Sequence, residues 1–144
     1  IDHSAIAVSD TDKSLRFYRD LLGLEGNTSN LQAEEAQSQL DGLSLARVWI
    51  SPLKARNCNI GIELLDYVSP RTGRSIPSEW SIGHLSHTHV VFEVASVEDS
   101  LDYLKQRWVK IGASSPIEFP STYRYSRGAL VSDPDDRYLL LASA

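Results

Sequence analysis

The chain is poor in cysteine, in positive charge and in long hydrophobic stretches, and each shortage excludes a class of protein. Its 144 residues contain one cysteine, Cys58, so no disulfide can form within the chain. The net charge of −5 argues against a general nucleic-acid-binding protein, because phosphate contacts need clustered Lys and Arg. No apolar stretch approaches the ~20 residues of a membrane span. We therefore expect a cytoplasmic protein whose partners include neither nucleic acid nor a membrane.

The remaining composition is that of a soluble globular domain. Hydrophobic residues make up 42% of the chain and charged residues 23%. The length lies near the common domain size of roughly 100–150 residues. We therefore predict a single domain over residues 1–144. Because the predicted first strand begins at residue 1, we expect the native chain to start earlier.

Two strand–helix segments of the chain match each other at a constant offset. His3 aligns with His89 and Leu15 with Leu101, and the offset is the same in both cases (89 − 3 = 86 and 101 − 15 = 86). A constant offset over this length indicates an internal repeat. We predict a first module at residues 1–67, a connector at 68–86 and a second module at 87–144.

Each predicted module contains one strand, one helix and three further strands. Ser9 or Asp10 is expected to cap the first helix and Gly23 to end it. In the second helix, capped by Ser96, we expect Trp108 on the inward face. The predicted fold class is α+β, with two tandem βαβββ modules whose curved mixed sheets surround a cavity. Strands are predicted at 2–8, from Leu24, and at 43–50, 59–67, 87–94, 117–119, 125–132 and 137–142, with a loop at 27–42 that has room for a short helix over 32–40 and a turn at 52–57.

Three polar side chains on predicted inward strand positions form a candidate metal site. His3 and His89 are repeat equivalents, and Glu63 is a carboxylate inside the apolar strand Ile62-Glu63-Leu64-Leu65. Burying such groups unpaired is costly. Imidazole nitrogens with one carboxylate bind Zn, Fe, Mn, Ni or Co. Three protein ligands leave coordination positions open for a substrate, water or O2.

Each of these residues also has an ordinary structural interpretation. A lone strand histidine is usually hydrogen-bonded in the core or at an edge, and a lone glutamate on a half-exposed strand usually faces water. His87 lies two residues before His89 and so on the same face of the strand. It is a candidate metal ligand, a candidate hydrogen-bond partner of a ligand, or a surface residue.

The residues that open both modules resemble the vicinal oxygen chelate superfamily. This group includes glyoxalase I, methylmalonyl-CoA epimerase, extradiol dioxygenases, fosfomycin-modifying enzymes and bleomycin-binding proteins. Residues 1–10 and 14–24 look like the family's first strand and helix, and residues 89–94 like the first strand of its second module. Asp133-Pro134-Asp135-Asp136 looks like the family's Asp-Pro-Asp-Gly turn. The resemblance covers essentially the whole chain.

The resemblance implies paired βαβββ modules, frequent homodimers and a metal site built from the first and last strands of each module. Carried over by position, His3, Glu63 and His89 match three of the four usual ligands. Leu140 stands at the fourth position, where the family has a Glu that is both ligand and base. Ala46 stands where an epimerase carries its second base. These departures argue against a typical glyoxalase I or methylmalonyl-CoA epimerase.

Two classes of function follow from the resemblance. The first is a metal-dependent lyase, isomerase or dioxygenase whose small substrate chelates the metal through adjacent oxygens, with Tyr125 as candidate proton donor. The second is a metal-free protein that sequesters an antibiotic or another small molecule, with Phe119 among the aromatic residues that stack on it. A surface role is the alternative for the strand residues among these candidates. The candidate substrate-binding residues are Trp49, Trp80, Tyr123, Arg124, Arg127 and His87.

Overall fold

The computed structural model describes residues 2–26, 29–85, 87–112 and 114–144. The chain divides into two compact units, residues 1–75 and 76–144. The boundary falls inside the predicted connector, whose last residue, Ser86, lies outside the described residues, as does Asn27 at the start of the predicted loop. No helix among the described residues is long and apolar enough to cross a membrane.

The first unit is a four-stranded mixed sheet with one main helix. The sheet has the order β1-β4-β3-β2, with β1 parallel to β4 and the other neighbours antiparallel. A π-helical segment, Arg16–Leu21, continues the first helix. The elements are β1 (His3–Ala7), α1 (Thr11–Leu15), β2 (Asn30–Gln32), α2 (Glu35–Asp41), β3 (Arg47–Lys54) and β4 (Gly61–Ser69).

Local chemistry sets the ends of this helix. The side chain of Asp10 accepts a hydrogen bond from the backbone N–H of Lys13, which satisfies one of the donors left open at a helix start. Gly23 follows the π-helical segment with φ +74°, a conformation that glycine adopts without strain. Phe17 and Tyr18, between these ends, are buried. The predicted cap and stop residues are therefore where the sequence placed them.

The second unit repeats this arrangement. Its sheet has the order β5-β8-β7-β6, again with the first and last strands parallel. Ser96 caps the helix by accepting a hydrogen bond from the N–H of Asp99. The buried face of the helix carries Val97, Leu101 and Leu104. The elements are β5 (Val90–Glu93), α3 (Val97–Lys105), β6 (Ile117–Glu118), β7 (Arg127–Ser132) and β8 (Tyr138–Ser143).

The turn before β8 is held by one carboxylate. Oδ1 of Asp133 accepts hydrogen bonds from the backbone N–H groups of Asp135 and Arg137, at 2.9 and 2.8 Å. Asp136 adopts φ +62°, which is a conformation that Asp tolerates better than most residues. The predicted turn is therefore present, with Asp136 at the position that a glycine fills in the resembling family.

The predicted fold, two βαβββ modules with mixed sheets, is confirmed, but several element boundaries were wrong. The second strand is Asn30–Gln32, inside the predicted loop, while Glu25 makes only an isolated bridge to Lys54. β3 runs through Pro52 to Lys54, where a turn was expected. Trp108 is 95% exposed, because α3 ends at Lys105 and Trp108 adopts φ +61°.

Candidate metal-binding site

The register of the first sheet places His3 and Glu63 on the same face. β1 and β4 are parallel, with Ala5 opposite Glu63 and His3 opposite Gly61. Side chains alternate between the two faces of a strand, so His3, Ala5 and Glu63 share one face. The other face of β4 carries Ile62 and Leu64, which are buried in the core. The polar pair therefore lies on the face that the core does not use.

Within the first unit, the side chains of His3 and Glu63 are in direct contact. Nε2 of His3 lies 3.3 Å from Oε2 of Glu63, and the two side chains are 43% and 29% exposed. The other ring nitrogen, Nδ1, lies 3.5 Å from Oδ2 of Asp2. A depression of about 190 Å³ surrounds the pair and is also lined by Asp2 and Lys54. Both side chains are therefore accessible from a concave surface.

The donor atoms of this pair fit a divalent cation. Two ligand atoms that each lie ~2.1 Å from an ion in tetrahedral geometry are ~3.4 Å apart. The observed separation of 3.3 Å is close to that value. In the part of the chain that the structure describes, no three His, Cys, Asp or Glu side chains form a group that could hold a metal. The first unit thus supplies two suitable donors, and the three-ligand site with His89 stays a prediction.

His89 immediately precedes β5 in the second unit and is bonded to His87. Nε2 of His87 lies 3.0 Å from Nδ1 of His89. Burial lowers the pKa of His89, and the neighbouring His87 lowers it further. Neutral imidazole is the form of histidine that binds metals. The environment of His89 therefore favours the ligand form of the ring.

His87 is held among aromatic rings of the same unit. Its ring centroid lies 5.1 Å from that of Trp80 and 6.1 Å from that of Tyr138. The rings of Trp80 and Tyr138 are themselves stacked, 5.9 Å apart and 18° from parallel. The Nδ1 atom of His87 is buried and has no hydrogen-bond partner among the described residues. Trp80 and His87, both predicted substrate-binding residues, thus lie in one cluster next to His89.

Leu140 stands in the second sheet where Glu63 stands in the first. Leu140 is opposite Val91 in the parallel pair of β5 and β8, and Glu63 is opposite Ala5 in the pair of β1 and β4. Val91 is the repeat equivalent of Ala5 (91 − 5 = 86). The apolar side chain of Leu140 therefore occupies the position of a fourth ligand.

Two of the predicted substrate-binding residues lie on the helix-bearing faces of their sheets. Trp49 is opposite Asp66 in the β3–β4 pair, so it shares the face of Leu64 and not that of Glu63. Arg127 forms an ion pair with Glu98 of α3. Their register and contacts separate them from the faces that carry Glu63 and Leu140.

The remaining candidates cluster between β6 and β7. Nη2 of Arg124 donates to Oε2 of Glu93 at 2.7 Å, and its guanidinium carbon lies 5.2 Å from the ring centroid of Tyr125, which is half-buried. Tyr123 is 65% exposed, with its ring centroid 5.8 Å from that of Phe119. The charge of Arg124 is thus already paired with a carboxylate, which weakens its case as an anion-binding residue.

The sequence reasoning did not single out Gly128. A Cβ atom at this position would lie 2.6 Å from the ring of Phe119 and 3.2 Å from Cδ1 of Leu140. The ring of Phe119 therefore lies directly on the strand backbone beside Leu140. A glycine inside a strand is a known mark of close approach, so the signal was present in the run Arg127-Gly128-Ala129.

The chain belongs to the Glyoxalase/Bleomycin resistance protein/Dioxygenase superfamily, whose family model matches residues 1–140. No curated protein matches the sequence. The family is the one that the resemblance of the strand and turn motifs indicated.

Solved structures share this fold at low sequence identity. A glyoxalase family protein from Bacillus cereus has a TM-score of 0.86 at 18% identity, covering 99% of this chain and 92% of its own. TnmS3, an antibiotic binding protein from Streptomyces sp. CB03234, has a TM-score of 0.64 at 16% identity, with 99% and 93% coverage. The fosfomycin resistance protein FosX from Listeria monocytogenes, solved with Mn(II) and a dihydroxypropylphosphonic acid, has 0.60 at 15%, with 100% and 91% coverage.

Proposed function

We propose that this protein is a divalent-metal-dependent enzyme that acts on a small substrate chelating through adjacent oxygens. His3, Glu63 and His89 are the proposed ligands. The observation that carries the proposal is the contact of 3.3 Å between Nε2 of His3 and Oε2 of Glu63 on the non-core face of the first sheet. The repeat supplies the third ligand, because His89 is the equivalent of His3 in the second module.

The chain's own residues have distinct roles in this proposal. His3 and His89 contribute neutral nitrogens and Glu63 a negative charge, which together suit Fe, Zn, Mn, Ni or Co. A divalent cation with open coordination positions supplies Lewis-acid chemistry toward a substrate oxygen. The apolar side chain of Leu140 offers no base at the fourth position. Proton transfer must therefore come from another group, and Tyr125 is our candidate donor.

The reaction type follows from this ligand set only as a class. Without a carboxylate at position 140, we propose a lyase, isomerase or dioxygenase that differs from a typical glyoxalase I or methylmalonyl-CoA epimerase. FosX, which shares the fold, was solved with Mn(II) and a phosphonic acid that carries hydroxyl groups. This supports the choice of an oxygen-rich small molecule as substrate. We also propose a cytoplasmic homodimer.

Metal analysis tests the proposal. The protein is purified without chelators and its bound metal is measured by mass spectrometry, before and after loading with Zn2+, Mn2+, Fe2+, Ni2+ or Co2+. We expect stoichiometric binding of one of these metals, and loss of binding in His3→Ala and Glu63→Gln. His84→Ala is the matched control, because His84 is an exposed histidine whose Nδ1 contacts Ser81. Wild-type protein that binds none of the five would contradict the proposal.

A second candidate function is favoured by Leu140 and by the aromatic residue beside it. Replacement of one ligand by leucine is a step toward a metal-free small-molecule-binding protein, and the ring of Phe119 lies against Leu140 above Gly128. TnmS3, which shares the fold, is an antibiotic binding protein. Binding of an aromatic antibiotic such as bleomycin by metal-free protein, with reduced affinity in Phe119→Ala and no metal uptake, would favour this function over the enzyme.

A further inference from the structure

The two histidines of the proposed site are supported very differently. Nδ1 of His3 faces Asp2 at 3.5 Å, and the Asp2 side chain is 95% exposed. Nδ1 of His89 faces Nε2 of His87 at 3.0 Å, a normal hydrogen-bond distance. The second module therefore contains an ordered partner for its histidine, and the first contains only a weak one.

His87 has no other polar partner to serve. Its Nδ1 is buried without a hydrogen-bond partner in the described parts of the chain, so its one hydrogen bond there goes to His89. The ring is fixed by Trp80 at 5.1 Å and lies 6.1 Å from Tyr138. The hydrogen-bonding capacity of a packed ring is thus directed at one atom of His89.

We propose that His87 is a positioning residue that fixes the orientation and tautomer of His89 for metal binding. This inference rests on the proposed function. Because His87 occupies Nδ1 of His89, only Nε2 of His89 is left to bind a metal. Binding through Nε2 requires the hydrogen of His89 to lie on Nδ1, from which it is donated to Nε2 of His87. Histidine ligands generally donate their second nitrogen in this way, and partners of this kind raise metal affinity.

The arrangement has a cost that makes it specific to the metal-bound protein. When Nε2 of His87 accepts the hydrogen from His89, the hydrogen of His87 lies on its buried Nδ1. In metal-free protein the shared hydrogen can instead lie on Nε2 of His87. Metal binding selects the first arrangement, since the second places a hydrogen on the ligand atom of His89.

Two substitutions separate positioning from simple packing. His87→Gln keeps a hydrogen-bond acceptor but loses the ring that packs on Trp80 and Tyr138. His87→Phe keeps the ring but loses the acceptor. Affinity for Zn2+ is measured by calorimetry, and thermal unfolding of the metal-free proteins shows that each variant folds. We expect affinity to fall by ~10–100-fold in His87→Phe, the usual effect of losing such a partner, and to change little in His87→Gln.

The other outcomes overturn the inference. The reverse pattern would assign His87 a packing role, and equal losses or no loss in both variants would show that the hydrogen bond to His89 does not matter. NMR of the Zn2+-loaded protein gives an independent readout, with the hydrogen of His89 expected on Nδ1; a hydrogen on Nε2 overturns the inference. Wild-type protein without Zn2+ affinity removes the inference together with a zinc site, whereas bound Zn2+ that is insensitive to His87 removes the inference alone.

Discussion

Leu140 occupies in the second sheet the register position that Glu63 occupies in the first. Each is opposite the third residue counted from its module's repeated histidine, Ala5 in one case and Val91 in the other. The two halves of the chain have therefore kept equivalent histidines but only one of two equivalent acidic positions. This difference makes the number of metal ligands a property that substitution can change.

Restoring the carboxylate should strengthen metal binding. We expect Leu140→Glu to raise the affinity for Zn2+ by about tenfold or more, which corresponds to ~1.4 kcal/mol, because a fourth protein ligand is added. Calorimetric titration measures the change. Leu130→Glu is the matched control, since Leu130 is opposite Leu140 in the β7–β8 pair and is also half-buried. Equal affinity in wild type and Leu140→Glu would argue against a place for Leu140 in the site.

Gly128 should tolerate no side chain without movement of Phe119. In Gly128→Ala the new Cβ would lie 2.6 Å from the ring of Phe119, so the ring must shift. We expect the free energy of unfolding in urea to fall by about 1–3 kcal/mol, the usual cost of overpacking. Gly73→Ala is the control, because nothing lies within 4 Å of a Cβ added there.

A double substitution identifies the cause of that loss. If the clash with Phe119 is responsible, Gly128→Ala should cost less in a Phe119→Ala background than in the wild type. The difference is the coupling energy of the pair, and contacting residues typically show ~0.5–3 kcal/mol. Additive effects would show that the backbone freedom of Gly128 matters more than the ring above it.

The module pattern could be predicted because it rests on local and periodic signals. Asp10 and Ser96 are caps with side-chain oxygens, and both bonds are present. The apolar spacing of Val97, Leu101 and Leu104 predicts the buried face of α3. The repeat then predicted that Glu63 and Leu140 are equivalent, and the sheet register agrees.

Long-range relationships were not available from the sequence. Proline weakens a strand prediction, yet β3 continues through Pro52 because the adjacent Lys54 can still exchange backbone bonds with Glu25. The sheet face of Trp49 depends on the pairing of β3 with β4, and the partner of Arg127 lies on α3. Local sequence reports neither the register nor the ion pair, so both residues were grouped with the site without a basis in geometry.

The start of α1 should depend on a carboxylate from the last strand of its own sheet. Oδ2 of buried Asp66 accepts hydrogen bonds from the hydroxyl and the backbone N–H of Thr11, at 2.9 and 3.2 Å. Asp66→Ala leaves these donors unpaired, and we expect the free energy of unfolding to fall by about 1–3 kcal/mol. Asp20→Ala is the control, because Asp20 pairs with Arg19 in an exposed ion pair worth less than ~1 kcal/mol. Equal effects of the two substitutions would refute this role of Asp66.

The cap of α1 should give the protein a stability contribution that depends on pH. The N–H of Lys13 donates to the Asp10 carboxylate at 2.9 Å, and this bond holds the pKa of Asp10 below its usual value of 3.8. A carboxyl whose pKa is lower in the folded state stabilises the protein above pH 3.8, and the contribution disappears as the pH falls through the lowered pKa.

We therefore compare wild type with Asp10→Asn, which keeps a capping oxygen but cannot ionise. The melting temperature of the wild type should exceed that of Asp10→Asn at pH 6, and the difference should shrink as the pH falls below 3.8. Other carboxyl groups titrate equally in both proteins, so they cancel in the comparison. Ser96→Ala is the control, because it removes the cap of α3 at a cost of ~1 kcal/mol without removing a titrating group. A difference between wild type and Asp10→Asn that stays constant from pH 6 to below the lowered pKa would show that the charge of Asp10 contributes nothing to the cap.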